Sequence, residues 1–117
     1  MVTPEYNHGY TAGLKAVIDA AKAEWLAKPV GFVSYGGVSG GLRAVEQLRL
    51  VFAELHAVTI RDGVSFAMAW DRFDAAGETV DAEGPAGAMT MMVDQLLWWA
   101  KALDEAKARR PYGKPHG

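Results

Sequence analysis

Apolar residues recur at helical spacing in three stretches of the chain and run without polar alternation in a short stretch between the first two. Leu14, Val17, Ile18, Ala21 and Trp25 form one apolar face over residues 10–25, with Lys15, Asp19, Lys22 and Glu24 mostly off it, so the spacing predicts a helix. Lys28-Pro29 ends it, because the residue before a proline is pushed out of the helical region. Residues 30–35 (VGFVSY) read as a strand buried on both faces. Gly36–Gly41 is a loop in which Ser39 is the expected cap of a second helix over 42–55, with Leu42, Val45, Leu48, Phe52 and Leu55 along its stripe. Residues 58–68 read as one broken strand with a turn or bulge near Asp62-Gly63, and the acidic stretch 71–84 as a surface loop. A third helix is predicted over 86–108, its core stripe formed by Met89, Val93, Leu96, Ala100 and Leu103. Met91-Met92 and Trp98-Trp99 are adjacent pairs, so one of each is expected in the core and the other outside, an exposed one being a candidate dimer contact.

The order helix, strand, helix, strand, helix predicts an α/β fold with a parallel sheet. A doubly buried strand needs neighbours on both edges, and 58–68 is the one obvious neighbour of VGFVSY. Its other edge is therefore expected to be open, and the chain to self-associate as a homo-oligomer. Residues 109–117 hold two prolines, two glycines and three lysines or arginines, and read as a flexible tail following a domain over 1–108.

Composition narrows the function classes. The chain has 117 residues, one domain at most, and half of them are apolar. Twelve basic residues stand against 14 acidic ones, which gives no basic footprint for nucleic acid. There is no cysteine, which excludes disulfides, thiolate metal sites and cysteine nucleophiles. No apolar run approaches the ~20 residues of a membrane span, and the first residues do not read as a signal peptide. A cytoplasmic protein without a membrane partner is the expectation. His8, His56 and His116 lack metal-ligand spacing, and Asp71, Asp74, Glu78, Asp81 and Glu83 lack the calcium-loop pattern, so no metal site is expected.

Two segments could carry chemistry. Thr3-Pro4-Glu5-Tyr6-Asn7-His8-Gly9 precedes the first helix and reads as a lead-in turn or as a ligand loop. Gly36–Gly41 lies between strand and helix, where phosphates or aromatic rings are often cradled, and reads equally as a ligand loop or as a tight turn. It is not a phosphate-binding Walker loop, since Leu42-Arg43 stands where Lys-Ser/Thr is required, and it lacks the dinucleotide G-x-G-x-x-G spacing.

Taken together and in order, these segments, with Leu14-Lys15, Lys28-Pro29-Val30, Ser34-Tyr35 and Leu42-Arg43, resemble the NADPH-dependent FMN reductase family over about residues 2–103. The resemblance implies a flavodoxin-like, three-layer parallel sheet and an oxidoreductase. Hydride would pass from NADPH or NADH through FMN to a small acceptor such as a quinone or azo compound. It also implies that Pro4, Glu5, Tyr6 and Asn7 lie against the flavin ring, largely through backbone groups, and that Gly36, Gly37, Ser39, Gly40 and Gly41 border the same ring. The hydride chemistry would belong to the cofactor, so no catalytic acid or base is assigned.

The departure from the family is at the front. Its members carry a first strand and a Ser/Arg phosphate loop well before the Pro-Glu-Tyr-Asn segment, whereas Met1-Val2 is all that precedes Thr3 here. The sequence therefore reads as the C-terminal portion of such a domain. The Pro4 loop is expected to be untethered, and Arg43 is the first candidate to hold a phosphate. A second reading is a non-catalytic remnant that binds no flavin as an isolated chain. A third is a small module that assembles with another chain.

Overall fold

The computed structural model describes residues 1–113; of the expected tail, Arg109 ends the last helix, and residues 114–117, with Lys114 and His116, lie outside the described residues. The first strand is one that the sequence did not announce. Val2–Pro4 (β1) runs parallel to Val33–Tyr35 (β3), with Val2 opposite Val33 and Pro4 opposite Tyr35. VGFVSY therefore has a neighbour on its second edge as well, and the open edge passes to β1. Val33 N donates to Met1 O and Glu5 N to Tyr35 O, so odd-numbered residues of β1 face β3. Pro4, which has no N–H to donate, points its nitrogen away from the ladder, as an edge strand allows.

The helix expected over 10–25 is shorter. Helix α1 spans Ala12–Asp19, with Thr11 Oγ1 accepting from Leu14 N at 3.2 Å as the cap. The chain then makes a single 3₁₀ turn over Ala23–Trp25, whose Trp25 indole donates to the Ile18 carbonyl at 3.0 Å. Ile18, Leu14 and Trp25 face the core, but Val17 points to solvent.

The expected 30–35 strand is found as two, Pro29–Val30 (β2) and β3, and its partner as Val58–Thr59 (β4) and Val64–Phe66 (β5), all parallel. Pro29 pairs with Val58 but Val33 pairs with Val64, so the second strand carries two more residues over the same span. These make the expected bulge at 61–63. Gly63 is required there: a Cβ would lie 2.9 Å from the Phe32 carbonyl oxygen. Arg49 of helix α2 (Leu42–Glu54) pins the bulge by donating to the Ile60 and Arg61 carbonyls.

The three-stranded sheet has the order β1-β3-β5, and successive residues of its central strand feed opposite layers. Phe32 joins Ile18, Val45, Leu48 and Phe52 beneath α1 and α2. Val33 packs against Ile60, Val64 and Met92 beneath helix α3 (Glu83–Arg109). The result is a helix–sheet–helix, flavodoxin-like arrangement. Met92 and Trp99 are the inner members of their pairs, Met91 and Trp98 the outer ones. The core stripe of α3 is not the expected one, because Met89 and Val93 are exposed and Ala88, Met92, Leu96 and Trp99 meet the sheet. Apolar residues cover more of α3 than the sheet can bury, so contact with Ile60 and Val64 selects the face. Beyond α3, Tyr112 packs edge-on against His56 and its hydroxyl lies 3.0 Å from His56 Nδ1. No helix of the described residues is long and apolar enough to cross a membrane.

Candidate functional site

All strands are parallel, so their carboxyl ends, Pro4, Tyr35 and Phe66, fall on one side of the sheet. Three loops leave from there: 5–11, 36–41 and 67–72. In open α/β sheets this is where ligands bind.

Residues Tyr6–Gly9 form a two-residue hairpin. Tyr6 N donates to Gly9 O at 2.9 Å and Gly9 N to Tyr6 O at 3.1 Å. Asn7 and His8 between them both have positive φ, 49° and 73°, the requirement of a type I′ turn. Asparagine tolerates this conformation readily; histidine does so less well.

Glu5 holds the loop to the rest of the site. Its side chain is only 6% exposed. One carboxylate oxygen accepts from the backbone N–H of Arg43 at 2.9 Å and of Ala44 at 3.2 Å. The other accepts from Ser39 Oγ at 2.7 Å and Arg43 Nε at 2.8 Å. Helix α2 is thus capped from a distant segment, by a carboxylate at the positive end of its dipole. Ser39, the expected cap, instead spends its hydroxyl on Glu5, and the residue at the cap position is Gly41. Two further contacts dock the hairpin on α2: Arg43 Nη1 donates to His8 Nε2, and Gln47 Nε2 donates to His8 O at 2.9 Å. The Pro4 loop is therefore well tethered, contrary to the sequence expectation, and Arg43 is committed to Glu5 and His8 rather than free for a phosphate.

The glycine-rich loop is built around its own close contacts. Gly40 and Gly41 have φ of 64° and 84°. A Cβ on Gly40 would lie 2.3 Å from Ser65 Oγ, and one on Gly41 2.7 Å from Ser34 Cβ. The Gly40 carbonyl accepts from both Ser34 Oγ and Ser65 Oγ. Both glycines are buried, so the structure gives them a reason internal to the fold. Gly36 and Gly37 are different: they are half-buried, and a Cβ on either would meet no atom closer than 3.2 Å.

The third loop was missed. Read as the end of a strand and the start of an acidic loop, residues 67–72 instead turn back over Gly36-Gly37. Met68 N donates to Gly37 O at 2.8 Å and Ala69 N to Gly36 O at 3.0 Å. A 3₁₀ turn over Ala69–Asp71 presents Trp70, 66% exposed, and Tyr6 across the sheet end is 63% exposed. Nothing at this spacing distinguishes Trp70 from a core residue; its exposure depends on the left-handed turn at Met68, which composition does not reveal. Farther on, Asp74 organises its own turn, Oδ1 accepting from Ala76 N and Glu78 N. A cleft of about 590 Å³ lies elsewhere, between α2 and β5, walled by Phe32, Val45, Arg49, Thr59 and Val64. No buried side-chain polar atom lacks a partner among the described residues.

Burial alone would push the Glu5 carboxyl up. The Ser39 hydroxyl, the Ala44 amide and Arg43 outweigh it and hold the carboxyl below its ordinary value of 4.5. A carboxyl depressed on folding contributes stability that is complete above its unfolded value and lost as pH falls through the lower folded value. The Glu5 contribution should therefore be intact from neutrality to about pH 4.5 and decline below that. Urea unfolding as a function of pH should show this acid limb flattened in Glu5→Gln. An unchanged limb in that variant would assign it to other carboxylates.

Comparisons with known proteins agree with this geometry. A model of the family described as NADPH-dependent FMN reductase matches residues 1–71. The chain is similar to the NAD(P)H-dependent FMN reductase ntnL of a Nectria species, 37% identical over 112 residues, covering 91% of this chain and 53% of that protein. It is also similar to the NAD(P)H-dependent FMN reductase LOT6 of Saccharomyces cerevisiae, 52% identical over 50 residues, covering 43% of this chain and 26% of that one. The chain thus spans about half or less of the length of these curated relatives. Among solved structures, FerB of Paracoccus denitrificans, a flavoenzyme NAD(P)H:(acceptor) oxidoreductase, superposes with a TM-score of 0.64 at 21% identity, over 86% of this chain and 59% of that one. That likeness supports the fold, and the match to the family model, which spans the hairpin, the glycine-rich loop and the turn at Trp70, makes the chain a member of the NADPH-dependent FMN reductase family.

Proposed function

We propose that residues 1–108 supply the ring-binding portion of an NAD(P)H-dependent FMN reductase, with 109–117 as its tail. One observation carries the reading: Glu5 fastens the Pro-Glu-Tyr-Asn hairpin to the glycine-rich loop, so the two segments of the family resemblance form one surface at the strands' carboxyl ends. The donor set suits a flavin ring. The Asn7 side chain and the Gly37 and Val38 amides have no hydrogen bond within the described residues. Pro4, Tyr6, Asn7, Gly36 and Gly37 would meet the ring; Glu5, Ser39, Gly40 and Gly41 would set the position of those that do. When bound, FMN supplies the hydride-transfer chemistry. The chain's residues orient the ring and leave its exposed side to NADPH or NADH and then to a small acceptor, such as a quinone or azo compound. None of them is assigned a catalytic proton transfer. A cytoplasmic homo-oligomer fits this reading, supported by the exposed Met91, Leu97 and Trp98 on α3.

The phosphate is held by other residues than these loops. Arg43 is paired, and Arg72, the cation of the third loop, sits over the Phe66 ring, 5.7 Å from its centroid. The 117-residue polypeptide should therefore bind FMN and riboflavin alike, within about threefold, and with dissociation constants above about ten micromolar, because a held phosphate contributes roughly 1.5–3 kcal/mol per charged hydrogen bond. Its NADPH oxidation should not exceed that of free flavin. Fluorescence titration with both flavins tests this. FMN bound tenfold or more tightly than riboflavin would overturn the assignment and point to Arg72. No binding of FMN at millimolar concentration, nor of riboflavin at its solubility limit, would overturn the ring site itself.

A further inference from the structure

We propose that Trp70 is a flavin-stacking residue, and that the turn carrying it forms a third wall of the ring site. The proposal rests on the flavin reading above and adds to it a residue outside the two motif segments.

Four observations carry it. An indole is a large apolar surface that proteins ordinarily bury, yet this one is 66% exposed, and Trp70 makes no side-chain hydrogen bond. The exposure is not that of a loose loop: Met68 N and Ala69 N anchor the start of the turn on Gly37 O and Gly36 O, Asp71 N and Arg72 N close it internally on Met68 O and Ala69 O, and Val80 N donates to Arg72 O at its far end. Met68 is held at φ 50°, an unfavourable conformation for a side chain of its size. Strain of this kind persists where the surrounding contacts enforce a particular presentation. Finally, the indole is placed beside the motif loops. A Cβ on Gly37 would touch Trp70 Cη2 at 3.7 Å, and a Cβ on Gly36 would touch Glu5 Cβ at 3.7 Å. The Gly36-Gly37 pair therefore lies between the hairpin on one side and the indole on the other.

An electron-rich, flat indole on a rigid turn beside a glycine pair matches an electron-poor, flat ring. The isoalloxazine ring is the one that the neighbouring loops are read to hold, and the absence of a side chain at Gly37 leaves the indole edge uncovered toward it. Trp70 touches neither a transferred proton nor a hydride; its role is affinity and orientation of the ring.

The test is a ¹H–¹⁵N titration of the 117-residue protein with FMN to several millimolar, following the indole N–H signals of its four tryptophans. Trp70 is assigned by the signal missing in Trp70→Phe. The Trp70 indole should show the largest shift of the four, with Trp25, Trp98 and Trp99 little changed. Trp70→Ala should weaken FMN binding by roughly threefold to tenfold, Trp70→Phe should restore most of it, and the melting temperatures of both should match the parent within about 2 °C, since the side chain is exposed. Shifts at the Tyr6–His8 and Gly36–Val38 amides with a stationary Trp70 indole would overturn the stacking role and leave the flavin reading standing. No shift in any of the three loops would overturn both. A Trp70→Ala protein that binds FMN unchanged but loses a parental self-association would make Trp70 a contact between copies and overturn the proposal.

Discussion

Glu5→Ala should destabilise the chain by about 3 kcal/mol and lower its Tm by roughly 10 °C, the largest effect expected of any substitution in the hairpin. The carboxylate receives four hydrogen bonds, two from the first amides of α2, one from the Ser39 hydroxyl and one from the Arg43 guanidinium. Alanine leaves all four donors without their acceptor. The guanidinium, 40% exposed, can turn to water. The helix amides cannot turn and keep most of their desolvation cost. The hairpin would then keep only its His8 contacts to Arg43 and Gln47 and its strand pairing. Glu5→Gln should fall between, because one oxygen can still accept from the amides while its NH₂ group opposes Arg43. Thermal melting followed by circular dichroism measures both. A Tm within about 2 °C of the parent for Glu5→Ala would show that the carboxylate does not hold the loops together.

Gly41→Ala should cost at least about 3 kcal/mol, and it acts through the backbone rather than through lost contacts. With φ at 84°, an L side chain is strained wherever it points. It also has nowhere to go, since a Cβ would lie 2.7 Å from Ser34 Cβ and 2.9 Å from both the Tyr35 nitrogen and oxygen. All three belong to β3, the central strand, which cannot shift without breaking its pairing with β1 and β5. Gly37→Ala is the matched control: its Cβ would meet only Trp70, at an ordinary 3.7 Å. Urea unfolding should show a large loss for Gly41→Ala and under about 1 kcal/mol for Gly37→Ala. Equal losses would mean that the loop is uniformly plastic.

The layers of the fold were legible where burial is simple. Phe32, Val45, Leu48 and Phe52 follow strand and helix periods because they face a single core, and all are buried. The bulge at 61–63 could be expected from Gly63. The α3 stripe could not, because residues 88–99 are apolar around most of the helix and only the sheet decides which side is covered. Strand β1 was hidden by its brevity: three residues ending in proline give no period, and their pairing is a tertiary fact. At the sheet's carboxyl end, the two segments singled out in the sequence do lie side by side, but their division of labour was not legible. A glutamate in a Pro-Glu-Tyr-Asn loop carries no local sign that it will cap a helix starting 37 residues later. Gly40 and Gly41 read as room for a ligand, whereas the room is filled by Ser34, Tyr35, Ser65 and Ala67. The third loop was missed because residues 69–70 fall between the expected strand and the expected acidic loop, and the turn that exposes Trp70 has no local signature.

The central claim is that the carboxyl-end loops of this sheet hold a flavin ring. Backbone amide shift mapping of the 117-residue protein, titrated with riboflavin to its solubility limit and then with FMN, tests it most directly. The largest shifts should fall on Tyr6–His8 and on Gly36–Ser39, with the same pattern for both flavins. Shifts gathered instead on Arg49, Thr59 and Val64, around the cleft between α2 and β5, or on the outer face of α3, would contradict it.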